Sequence, residues 1–185
     1  HQQAPLCLCS GLAMGSHYPA ARPASTPPTG QVLLTMDLQI DEFYKDCAAG
    51  LLQLYLVFPR RTALYVEDLI GLEEPDEFGL PSKRHQSCLG ALLWLADEGY
   101  LRFDSTIRYE ALDQAVLSEK GFLRLARTVP GVLPQLHGLP AAVQRVQSTL
   151  AWQLRQALSG GHSEQIVRLT RLLFESTLDG GSDTV

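Results

Sequence analysis

The sequence predicts a mainly α-helical chain with a small β-hairpin, an α+β fold. Three observations carry that expectation. Apolar residues recur at helical spacing in separate stretches, as in Phe43, Cys47, Leu51, Leu54 and Phe58. One compact extended region, Tyr100 to Leu117, interrupts the helical pattern after Gly99. Prolines and glycines punctuate the rest where helices should stop, notably Pro59, Gly71, Pro130 and Gly160-Gly161.

Composition narrows the function classes. The 185 residues are 45% hydrophobic and 19% charged, ordinary for a soluble globular protein. The net charge of -5 disfavours a strongly basic, nonspecific nucleic-acid binder. The best apolar run, Leu51 to Phe58, is sized for a helix core rather than a bilayer, so no membrane partner is expected. A metal site at Cys7 and Cys9 would need further ligands close by, and none of the histidines clusters with them. Cys47 and Cys88 fall on apolar helix faces. No metal or cofactor is expected, and reduced thiols fit a cytoplasmic location.

In order along the chain, residues 1–35 read as a disordered tail, because Tyr18 to Gly30 is rich in Pro, Ala, Ser and Thr without periodicity. Ala4 to Gly15 has some signal-like character, but no Lys or Arg precedes it. Met36 reads as the natural start. A first domain is expected over residues 36–129. Its first helix runs from Asp41 to Phe58, with Asp41 and Glu42 in the first turn. Tyr55, Leu56 and Val57 make its end apolar nearly all round, so other elements or a second subunit should cover it. Thr62 to Tyr65 reads as a strand and Val66 to Ile70 as a short helix stopped at Gly71. An acidic connector follows, Glu73-Glu74-Pro75-Asp76-Glu77, with Phe78 expected to anchor on the core.

Ser82 then caps a helix whose first turn is Lys83, Arg84, His85 and Gln86 and whose inward stripe is Cys88, Leu92 and Leu95. Gly99 releases it into a strand, Tyr100 to Phe103, with a turn at Asp104-Ser105-Thr106. Ile107 to Tyr109 and Ala115 to Leu117 should be extended, with Ala111 to Gln114 ambiguous. Ser118 caps a helix to about Val129. Residues 130–140 form a Pro/Gly linker. Residues 141–178 form a helical hairpin, Ala141 to Leu158 and Ser163 to Leu178, and residues 179–185 should fray. No phosphate loop, nucleophile elbow, His-x-x-x-His or Cys-x-x-Cys pair is present, so catalysis is not expected.

Two local motifs add a resemblance. Leu92-x-x-Leu95-x-x-x-Gly99-Tyr100-Leu101 is similar to the end of a recognition helix in MarR/PadR-type bacterial winged-helix proteins. Leu117-Ser118-Glu119-Lys120-Gly121 resembles their step from wing strand to the next helix. The resemblance covers about Asp41 to Val129. It implies a winged helix-turn-helix followed by the helical hairpin, acting as a dimeric transcription regulator on double-stranded DNA. Ser82, Lys83, Arg84, His85 and Gln86 would then read the groove, since Arg and Gln pair with guanine and adenine edges. Arg102 and Arg108 would steady the backbone. The wing region departs from the family pattern: Asp113-Gln114-Ala115 lacks its Asp-x-Arg arginine. Glu67, Asp68, Glu73, Glu74, Asp76 and Glu77 precede the helix, where a phosphate backbone would pass. The alternative is therefore a protein-interaction adaptor, resembling the small subunits of bacterial condensins, that docks a basic protein partner. Trp94, Trp152 and Leu154 are the candidate protein-interface residues.

Overall fold

The computed structural model describes residues 29–175, with side chains from Leu38 onward. The expected tail over residues 1–28, including Cys7 and Cys9, and the expected fraying end lie outside these residues. Helix α1 spans Thr29–Val57. It begins well before Asp41, so Asp41 and Glu42 lie mid-helix and do not face its N-terminal partial charge, and Met36 lies within it. Residues 29–35, expected in the tail, are helical. No proline or glycine pair interrupts the stretch after Thr29, and Pro59 marks its end.

The second half of α1 is the axis of the molecule. Cys47, Ala48, Leu51 and Leu54 are almost wholly buried. That is the consequence of an apolar surface broader than one stripe, which needs cover on more than one side. Much of the cover comes from within the chain, where α3 (Lys83–Asp97), α6 (Leu150–Gly160) and α7 (Ser163–Phe174) all pack on α1, whereas Leu56 near its end stays 65% exposed.

Among the described residues the chain is an α+β protein with seven α-helices and one small four-stranded antiparallel sheet. Strand β1 (Thr62–Tyr65) leads directly into α2 (Val66–Ile70), and α3 follows the acidic connector. Strand β4 (Ala111–Leu117) is central. It pairs with β1 along one edge, and with β2 (Leu101–Arg102) and β3 (Ser105–Ile107) along the other. The turn is therefore not at Asp104-Ser105-Thr106. It lies at Ile107–Glu110, closed by the Glu110 N–H on the Ile107 carbonyl at 2.9 Å, with Arg108 in the left-handed region at φ 50°. The Asp104 N–H donates to the Asp113 carbonyl at 3.0 Å, which keeps Ser105 and Thr106 in the ladder.

Ala111 to Gln114 belongs to β4. A bulge explains why simple alternation hides it. Thr62 faces Ala115 and Leu64 faces Leu112, so the extra residue on β4 is taken up near Gln114, which has φ 51°. Leu112 and Ala115 consequently both reach the core despite their odd spacing.

Helix α4 (Glu119–Ala126) is tied closely to the start of β2. Ser118 Oγ accepts from the Gly121 N–H at 3.1 Å and donates to the Gly99 carbonyl at 2.6 Å. A Cβ on Gly121 would overlap the Tyr100 carbonyl oxygen, so only glycine allows this approach. Gly121→Ala is expected to cost about 2–3 kcal/mol, read from a shift in the urea midpoint at unchanged m-value.

The C-terminal part differs from the expected linker and two-helix hairpin. A 3-10 turn, Leu133–Leu136, falls within the Pro/Gly segment. The expected helix Ala141 to Leu158 is split into α5 (Ala141–Gln147) and α6. Ser148 and Thr149 leave the helix to pair with the chain after α4. The Val129 N–H donates to the Ser148 carbonyl and the Leu150 N–H to the Arg127 carbonyl, each at 2.8 Å. Thr149 Oγ1 then caps α6 by accepting from the Trp152 N–H. Helices α6 and α7 share one hydrophobic cluster with α1, α3 and the sheet. Arg124 fastens the far end, donating to the Leu173 and Phe174 carbonyls at the end of α7 at 2.8 and 2.9 Å.

Candidate functional site

Helix α3 carries most of the candidate residues, and its two faces have opposite fates. Cys88, Leu92 and Leu95 are buried as the periodicity requires. Ser82 caps the helix, accepting from the His85 N–H at 3.0 Å. Gln86 folds back to the Pro81 carbonyl at 2.8 Å, close to the cap.

Arg84 is turned inward. Its guanidinium makes a two-pronged contact with Asp46 of α1, at 2.6 Å to each carboxylate oxygen, with Glu42 at 3.8 Å. The side chains of Arg84 and Asp46 are 24% and 4% exposed, so the pair sits at the edge of the α1–α3 interface. Hydrogen bonds to Asp46 raise the Arg84 pKa further, against an opposing push from partial burial. This arginine serves packing, and the expected role in reading a groove would require breaking the pair.

His85 Nε2 lies 2.7 Å from the Tyr109 carbonyl. A carbonyl only accepts, so this nitrogen carries the proton and pins the first turn of α3 to the β3–β4 turn. Lys83, Arg102 and Arg108 are exposed and have no acidic partner among the described residues. Arg61, by contrast, is paired with Asp104 at 2.7 Å.

The outward face of α3 runs Lys83, Gln86, Ser87, Gly90, Leu93 and Asp97. It offers one cation at its start and one carboxylate at its end. Between them a mostly apolar cleft of about 420 Å³ is lined by Leu80, Pro81, Leu89, Gly90, Leu93 and Tyr109, with His85 and Gln86 at one end. Leu80 and Pro81, just before α3, form one side of it, and Leu72, Phe78, Leu80 and Tyr109 are large apolar side chains left in solvent. Phe78 does not anchor on the core as the sequence suggested; it is 79% exposed. The inward-facing position of Arg84 had a sequence signal. Arg84, Cys88, Ala91 and Leu95 share one helical face, and all but Arg84 are apolar.

The three candidate interface residues separate. Trp94 packs within the chain, against Phe43 at 5.1 Å and Phe174 at 5.2 Å between ring centroids. Leu154 is wholly buried in the core and presents nothing to a partner. Trp152 is half-buried and lines a second cleft, between α1, α5 and α6.

Cys47 and Cys88 are free, buried thiols. Burial, reinforced by Asp46, pushes Cys47 above the ordinary thiol range and Cys88 up to about 12. The folded thiols hold their protons more tightly than the unfolded ones. Their contribution is therefore intact below the unfolded thiol pKa and is lost as pH rises above about 8.5. Peptide mapping after iodoacetamide at pH 8 should find both positions unmodified in the folded protein and modified in urea.

Among the described residues no helix is long and apolar enough to cross a membrane, and no group of three or more His, Cys, Asp or Glu is placed to hold a metal ion. No family model, curated protein or solved structure matches this chain.

Proposed function

We propose that this chain is a winged-helix-type protein-interaction module that docks a partner on the outward face of α3 and the connector beside it. The order of elements supports the winged-helix reading: α1, β1, α2, α3 and then a hairpin whose last strand pairs with β1. The observation that carries the docking reading is the chemistry of α3. Its one inward arginine is spent on Asp46, and its outward face is an apolar cleft that adjoins, at Pro81 and His85, a second hollow lined by Glu67, Glu73 and Glu110. Phosphate repels such a border, whereas a protein segment with an apolar side chain and nearby lysines or arginines complements it.

DNA binding remains the second reading, because Lys83, Arg102 and Arg108 are exposed cations on α3 and the hairpin. Two measurements separate the readings. Affinity for duplex DNA is measured between 50 and 200 mM salt, where a protein contacting several phosphates loses orders of magnitude, on the order of 10³ or more. Weak binding with little salt dependence is expected here. A stoichiometric protein partner should be retained by the wild type and by Lys83→Ala, and lost with Gly90→Glu, which places a carboxylate in the cleft. Steep salt-dependent DNA binding abolished by Lys83→Ala would overturn the docking reading.

A further inference from the structure

Two features of this fold are complementary and neither is satisfied within the chain. The first is the connector between α2 and α3. Asp76 Oδ1 accepts from the Phe78 N–H at 3.0 Å and from the Leu80 N–H at 2.8 Å, and the Asp76 N–H donates to the Leu80 carbonyl at 2.9 Å. These bonds close residues 76–80 into a small ordered loop. Phe78 stands out from it at 79% exposure, and the exposed carboxylates of Glu73, Glu74 and Glu77 precede it in the chain. A loop ordered by its own hydrogen bonds that holds a phenyl ring in water is an anchor already set for docking, with little left to lose in conformational freedom.

The second is the cleft between α1, α5 and α6, of about 350 Å³. Leu52, Leu56, Val146 and Trp152 make it apolar, and Leu56 is 65% exposed. Arg145 and Arg155 line it as well. Both are exposed, and neither has an acidic partner among the described residues. An apolar hollow flanked by two unpaired guanidiniums calls for an apolar side chain flanked by carboxylates. The connector has that composition.

Within its own chain the connector faces elsewhere: Glu73, Pro75, Gly79 and Pro81 line a hollow with His85 and Glu110, and none of them lines the Leu52–Trp152 cleft. Within one chain the occupant of the cleft is absent among the described residues. Between two copies, each loop can enter the other's cleft about a two-fold axis, which closes the assembly at a dimer.

We infer that this chain forms a two-fold dimer in which the Phe78 loop of each copy seats in the Leu52–Trp152 cleft of the other, with Glu73, Glu74 and Glu77 meeting Arg145 and Arg155. This rests on the connector's being a docking element, and it does not depend on what binds the outward face of α3.

Sedimentation velocity of the full chain across a concentration series tests the dimer, with circular dichroism confirming that each variant is folded. The wild type should reach dimer mass, and Phe78→Ala should weaken dimerisation at least tenfold. A loop variant, Glu73→Arg with Glu74→Arg, and a cleft variant, Arg145→Glu with Arg155→Glu, should each be monomeric alone. Mixed, they should form a heterodimer, because both reciprocal contacts regain opposite charges. A wild type that stays monomeric overturns the inference. So does a dimer that survives Phe78→Ala, or charge variants that fail to associate when mixed. A monomer that still captures a partner sensitive to Gly90→Glu would leave the α3 docking reading standing, which keeps the two failures distinct.

Discussion

Arg84→Ala is expected to lower the unfolding free energy by about 3 kcal/mol, because it strands a carboxylate in the α1–α3 interface. Asp46 is 3% exposed and its two oxygens are both engaged by Arg84. Arg84→Lys should fall between, since an ammonium keeps the charge and loses the planar fork. Replacing both partners, Asp46→Leu with Arg84→Met, should recover much of the loss, because no buried charge then remains unpaired. Urea denaturation followed by circular dichroism reads all of these. An Arg84→Ala variant within about 0.5 kcal/mol of wild type, in the range of surface substitutions, would show that the pair is not structural. The same variant bears on function. A groove-reading arginine would change DNA affinity and base preference at unchanged stability; a packing arginine does the reverse.

Arg84 also shows how far the sequence could be read. Its helix was legible from the Ser82 cap, the Cys88-Leu92-Leu95 spacing and Gly99. Its partner was not, because Asp46 lies 38 residues away on another helix and nothing local links them. The spacing to Cys88, Ala91 and Leu95 pointed inward, but an arginine on an apolar stripe needs a buried acid to make sense, and that acid is a tertiary fact. Residue type alone suggested a groove reader. The hairpin failed to read cleanly for a different reason. Alternation is a period-two signal, and the bulge near Gln114 shifts its phase within β4. The split between α5 and α6 was concealed because Val146, Leu150 and Leu154 keep helical spacing through it. The cue was Thr149, a residue suited to capping, three positions before Trp152.

Leu154→Ala is expected to cost about 3 kcal/mol, as for other large-to-small changes at closed core sites. The sequence suggested that Leu154 belongs to a separate helical hairpin and faces a partner. The structure buries it completely in the cluster that also holds Leu51, Leu92 and Leu117. The two arrangements predict different unfolding behaviour. An appended hairpin would melt by itself, leaving the α1–α3 packing in place. A shared core must melt together, because α7 reaches Trp94 through Phe174 and Arg124 binds the carbonyls at its end. In a Trp152→Phe background, Trp94 is the remaining tryptophan, and its fluorescence reports on the α1–α3–α7 contact. Far-UV circular dichroism and Trp94 fluorescence should trace one coincident transition, and Leu154→Ala should move both to the same lower midpoint. Two transitions, with only the first moved by Leu154→Ala, would mean that α6 and α7 form a separate folding unit. One transition makes the cleft at Trp152 part of the same rigid body as α3, so that a partner seated in either place is held by the whole core.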